Sequence, residues 1–220
     1  MENKLSKIIK VKAVIQVLLI VAAIALTYTI YKSIQRPINF ERSKKERYDV
    51  TIERLKDIRK AQLAYKDTYG DFTGNWDTLI YFVAHDSIIN IRRIGELTDS
   101  MIEANINEKK ALELGLIVRD TIKESALESL FGKGYDANQL RYIPVPDTKV
   151  EFHLATGAIR TGSGIIVPVF EAKAHNNTIL KNLDEQLLIS LNGQRRTNKK
   201  YPGLQVGSLT ETNNSAGNWE

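Results

Sequence analysis

Residues 13–31, AVIQVLLIVAAIALTYTIY, decide how the rest of the chain is arranged. The stretch is 19 residues long and carries no charge. As a helix it covers about 28 Å, close to the hydrocarbon thickness of a bilayer. A water-soluble helix of that length keeps one polar face, and this one has none. Lys4, Lys7, Lys10 and Lys12 precede it, and Lys32 and Arg36 follow. Tyr28 and Tyr31 stand at one end, where amphipathic rings suit the lipid–water boundary. The stretch reads as a transmembrane helix, with residues 1–12 as a short basic segment before it. A cleaved signal peptide would exit at Ala23-Ile24-Ala25, but the apolar run continues through Leu26, Tyr28, Ile30 and Tyr31. Gln16 lies about one turn inside, placed either to snorkel to the headgroups or to hydrogen-bond a neighbouring helix.

Charge points the same way. Of 31 basic and 26 acidic residues, the first 37 hold the six bases just named and only Glu2. The remaining chain therefore carries 25 of each sign and is neutral. The surplus sits at the membrane flanks, where Lys and Arg meet anionic headgroups, so nucleic acid is not an expected partner. Cysteine is absent, which excludes a disulfide framework, a thiol nucleophile and a Cys-ligated zinc site. Four lysines precede the span, but Lys32, Arg36, Arg42, Lys44, Lys45 and Arg47 follow it closely, the reverse of what an external tail calls for, so charge leaves the orientation ambiguous. The short leading segment suits a signal anchor, and the expected location is the bacterial inner membrane, single-pass, with the soluble part in the periplasm.

Arg36-Pro37 predicts a kink or a short unwound segment just past the span. Beyond it Tyr48, Ile52, Leu55, Ile58, Ala61, Tyr65 and Tyr69 recur at helical spacing, with charged residues on the other faces. Gly70 supplies the stop. Residues 32–69 therefore form a juxtamembrane segment and stalk helix. Residues 70–192 read as an α+β head, and 193–220 as a polar tail pinned only by Leu204, Val206, Leu209 and Trp219. In the head, Asn75 caps a second helix whose inner face is Trp76, Leu79, Ile80 and Val83. Residues 88–94 read as a strand ended by Gly95-Glu96, 98–114 as a helix with a Thr98/Asp99 cap, and 116–122 as another strand. Runs 140–145, 150–155, 165–172 and 187–191 also look like strands, with a helical turn at 178–183. Pro144 and Pro168 predict edge or bulged strands.

This order resembles the type IV pilins and type II secretion pseudopilins. The resemblance is carried by Pro37 near the outer end of the span, Ala61-Gln62-Leu63-Ala64-Tyr65, Tyr69-Gly70-Asp71-Phe72, Leu79-Ile80 and the closing Ala216-Gly217-Asn218-Trp219. It implies a single transmembrane helix that continues as a long amphipathic helix packed on a small, mainly antiparallel sheet. It also implies a terminal loop able to hold calcium. Thr210, Glu211, Asn213 and Asn214 offer oxygens a hard cation accepts, with one carboxylate among them. The chain departs from the family in having no glycine before the span, no Phe-Thr-Leu-Ile-Glu-like run, and no counterpart of the membrane glutamate unless Gln16 is a neutral substitute.

No catalytic set is expected. His85, His153 and His175 lack metal-ligand spacing. Gly162-Ser163-Gly164 reads as a hairpin turn rather than a nucleophile elbow. Asp67, Asp71 and Asp77 read as a solvated acidic cluster. Asn176-Asn177-Thr178 and Asn213-Asn214-Ser215 match an N-glycan acceptor, and Asp77-Thr78-Leu79, Asp86-Ser87-Ile88, Asp99-Ser100-Met101 and Asp120-Thr121-Ile122 resemble an O-glycan acceptor. The sequence reading is therefore a bitopic, pseudopilin-like structural subunit of a secretion or pilus-type assembly, self-associating or binding other membrane proteins through Gln16, Ala22, Ala23 and Ala25. A static scaffold of an envelope complex is the second reading, and a membrane-anchored enzyme the third.

Overall fold

In the computed structural model, which describes residues 2–94, 101, 103, 104, 106–146 and 149–220, a single helix α1 (Glu2–Tyr69) of 68 residues runs through both the apolar segment and the stalk. The chain does not unwind at Arg36-Pro37: Pro37 lies inside the helix. Proline removes one amide donor and crowds the carbonyl four residues back, here Ser33. The turns on either side are held by other means. Gln35 Nε2 donates to Asn39 Oδ1 at 3.1 Å across the proline, and Phe40 is buried against the head. The helix ends where the sequence places its stop, with Gly70 at φ +85° and its N–H on the Lys66 carbonyl.

The inner face of the stalk follows the apolar stripe. Leu55, Ile58 and Ala61 are fully buried, Tyr48, Ile52 and Tyr65 partly so, and Tyr69 is exposed. Thr51 and Gln62 fall on the same face and are also fully buried. Thr51 satisfies itself by donating to the Arg47 carbonyl at 2.7 Å. Gln62 clasps the loop after the stalk, donating to the Thr73 carbonyl at 2.6 Å and accepting from the Thr73 amide at 3.2 Å. That reciprocal pair satisfies a buried amide that would otherwise cost about 1–3 kcal/mol. It also turns the chain into α2 (Trp76–His85), which Asn75 caps through the amides of Asp77 and Thr78. Phe82 completes the buried face of α2 with Trp76, Leu79 and Val83, while Ile80 is only half-buried.

A two-stranded antiparallel ribbon follows, β1 (Ser87–Ile94) on β2 (Val118–Ser125), in register from Ser87↔Ser125 to Ile94↔Val118. Between them α3 (Glu108–Glu113) is capped by Asn107. The Thr98/Asp99 cap and the Gly95-Glu96 strand end lie outside the described residues. Next come α4 (Ala126–Phe131) and a 3-10 turn at Ala137–Arg141. Most of the run 140–145 is therefore not a strand. Asp136 caps the turn through the Asn138 amide, and only Tyr142 pairs, as an isolated bridge to Glu151.

The main sheet is antiparallel in the order β3 (His153–Arg160), β4 (Ile166–His175), β5 (Gly203–Gly207). Pro168 sits in the central strand, yet the edge rule holds. The carbonyls of Phe170 and Ala174 point at β5, and alternation turns Pro168 to the same side. There β5 has already ended, since the last pair is Glu171↔Gly207. The missing donor thus faces an open edge, where a proline is tolerated.

After β4, α5 (Asn176–Ile179) leads into α6 (Glu185–Thr197). The strand expected at 187–191 is thus the middle of a helix, and residues 193–197 complete it. Asp184 caps this helix through the Leu187 amide. Leu187, Leu188 and Leu191 pack on the core while Ile189 stays exposed, a 3.6-residue rhythm hidden in a β-rich run. The remaining tail is held as well: Leu204 and Val206 are buried, Trp219 packs on the core, and Gly217 bridges Val206. One core gathers Leu55 and Ile58 of the stalk, Leu79 and Phe82 of α2, and Phe170, Ala172, Leu204 and Val206 of the sheet. Each large side chain there contributes about 1.5–3 kcal/mol by leaving water.

Candidate functional site: an apolar rod clamped to a head

From residue 15 onward the first half of α1 stands clear of the head. From Ile15 to Ile38 its large apolar side chains, among them Leu19, Ile24, Leu26 and Ile34, are all more than half exposed. The window that qualifies as a membrane span has no buried residue. Monomeric soluble proteins rarely expose a contiguous apolar surface of this size, and the segment is long and apolar enough to cross a membrane.

The second half is tied to the head over many turns. Arg36 forms a bidentate pair with Asp184, Nε to Oδ2 at 2.6 Å and Nη2 to Oδ1 at 3.0 Å. Such a fork fixes direction as well as distance. The Arg36 guanidinium, then the Leu187 amide, hold the Asp184 carboxyl below its ordinary range. Arg47 donates to the carbonyls of Ile179 and Lys181. The Tyr48 hydroxyl donates to Asn176 Oδ1 at 2.5 Å, Asn176 donates to Asn192, and Asn192 to Asn177. Burial raises the Tyr48 hydroxyl pKa, opposed by Arg195 and by the Asn176 bond. Higher up, Asp57 accepts from the Tyr135 hydroxyl at 2.9 Å, and Arg59 pairs with Glu220 at 2.7 Å. The clamp thus joins α1 to elements from the head's middle to its last residue.

Of these residues, sequence reasoning found only the membrane segment and the aromatic stripe. The signal for two of the missed positions was available: Thr51 and Gln62 share the helical spacing of Leu55 and Ile58, so polar residues on that face had to find internal partners. The Arg36–Asp184 and Tyr48–Asn176 pairs join positions more than a hundred apart, which spacing alone does not reveal.

The histidines are placed separately. His85 is exposed and stacks on Tyr81, His153 is exposed, and His175 caps α5 by accepting the Asn177 amide at Nδ1. Among the described residues, no three of His, Cys, Asp and Glu gather to hold a metal ion. In the terminal loop Glu211 and Asn214 are exposed, Asn213 donates to the Ala216 carbonyl, and the Ser208 hydroxyl takes the Thr210 and Glu211 amides. Gly162-Ser163-Gly164 is the β3–β4 hairpin turn, closed by Thr161 and Ile165. Asp77 pairs with Arg141. Asn176, acceptor of the first N-glycan motif, is fully buried, so a glycan does not fit there in the folded head.

The His175 cap predicts a pH dependence. Burial, aided by Arg196, lowers its pKa below the ordinary 6.5. The unfolded chain therefore binds the proton more readily, and stability falls as pH drops from 6.5 through the lower folded value. Protonation also removes the Nδ1 acceptor. Thermal unfolding of the wild type should show this slope, and His175→Asn, which caps without titrating, should lose it.

Together these features define an α+β protein with, among the described residues, one helix long and apolar enough to cross a membrane. No protein family, curated protein or solved structure matches the chain.

Proposed function

We propose that the protein is a bitopic membrane protein acting as a pseudopilin-like structural subunit of a secretion or pilus-type assembly, with its head in the periplasm. The observation that carries this reading is the continuity of α1, apolar and uncovered from Ile15 to Ile38 and clamped to the head beyond. In such a part the helix supplies the packing surface in the membrane, and a charge-balanced head makes contacts above it. Membrane helices associate through close packing and hydrogen bonds, which gives Gln16, Ala22, Ala23 and Ala25 a role. Cross-linking in intact membranes tests it: homo- or hetero-oligomers crossing at these positions are expected, and monomers alone would refute it.

A static, unprocessed scaffold is favoured by one specific observation, the lack of a glycine and a Phe-Thr-Leu-Ile-Glu-like run at the start of the span. N-terminal sequencing of the mature protein separates the two readings. An end at Met1 or Glu2 selects the scaffold.

A further inference from the structure

We infer that the underside of the head, formed by the start of α6 beside Lys32 and Arg36 of α1, rests on the phospholipid headgroups of the bilayer that α1 enters. The inference builds on the membrane reading and adds where the head sits. Arg36 is five residues beyond Tyr31, a rise of about 7.5 Å along the helix. The headgroup layer of one leaflet is roughly 5–8 Å deep. Arg36 therefore emerges at the outer limit of that layer, and its fork holds Asp184 there.

The head cannot stand off from this level, because the helix between Tyr31 and Phe40 is unbroken and Phe40 is already buried in the head. Nor does the head tilt freely, since α6 runs alongside the stalk from Arg36 and Asp184 to Tyr48 and Arg195. Arg36, Asp184, Glu185, Gln186 and Ile189 line an open crevice between the two helices. Ile189 is 57% exposed, an aliphatic side chain among charged ones, which suits the boundary layer of a membrane. The charges also match. Lys32 and the Nη1 side of Arg36 face lipid phosphate, and Glu185 suits a lipid ammonium group. The β3–β4 turn lies at the other end of the head, beyond Gly70, since β4 runs from Phe170 beside Phe72 back to His175 near Tyr48.

The chain has no cysteine, so single labels report cleanly. Spin labels at Ile24→Cys, Gln186→Cys and Ser163→Cys, all exposed positions, are introduced one at a time into the full chain. The chain is reconstituted in phosphatidylcholine–phosphatidylethanolamine vesicles carrying a nickel-chelating lipid. The expected result is an oxygen-accessible, lipid-buried label at 24, strong relaxation by headgroup nickel at 186, and none at 163. If 24 is in lipid but 186 relaxes no more than 163, the docking is overturned while the membrane reading stands. If 24 is accessible to aqueous reagents, the membrane reading falls and the docking with it.

Discussion

Replacing Leu19 and Ile24 together by lysine is expected to abolish membrane integration, moving the chain from the carbonate-resistant membrane pellet to the soluble or aggregated fraction. Both side chains are more than 60% exposed and lie near the centre of the uncharged segment. A lysine at the middle of a membrane helix costs about 2.5–3.5 kcal/mol on insertion scales, so two shift the partition by roughly four powers of ten. The head should be untouched, because neither residue meets it. Its circular dichroism and unfolding midpoint in detergent are therefore expected to match the parent. Retention of the double variant in the pellet would mean that the segment is held by protein rather than lipid.

The second large effect concerns the sheet. Gly207 closes β5 at φ +72°, and a Cβ there would lie 2.1 Å from the Phe170 carbonyl oxygen. Backbone on backbone has no flexible end to give way, and the left-handed φ adds its own strain. Gly207→Ala should destabilise the head by at least about 3 kcal/mol, comparable to deleting a core side chain. Gly157→Ala is the control. Its Cβ would meet Leu209 Cδ2 at 3.5 Å and Val169 Cγ2 at 4.0 Å, both ordinary contacts with side chains, and the change should fall within about 1 kcal/mol of neutral. Urea unfolding followed by the Trp76 and Trp219 fluorescence measures both. Equal midpoints for the two variants would contradict this account of the turn.

What was legible in the sequence has a common cause. The apolar segment, the stripe through Leu55 and Ile58, the Gly70 stop and the Asn75 cap are all set by neighbours within a few positions, and the structure reproduces them. The α6 helix was hidden because Leu187, Leu188, Ile189 and Leu191 look like a strand until the core selects three of them and leaves Ile189 outside. Residues 140–145 went the other way. Asp136 caps a tight turn there, and the backbone supplies only one bridge. At Pro37 the chain stays helical instead of unwinding, with Arg36 and Phe40 on its two turns tied to the head. The clamp from Arg36 to Asp184 and from Tyr48 to Asn176 joins distant parts of the chain, so no local pattern announces it.

The unbroken passage of α1 through Pro37 makes the molecule a phase-locked shaft. Each residue turns an α-helix by about 100°, so the azimuth of the head is locked to that of the apolar segment. One residue inserted between Tyr31 and Arg36 would turn the head a little more than a quarter turn about the helix axis relative to that segment. Seven would return it to within about 20°, lifted by roughly 10 Å.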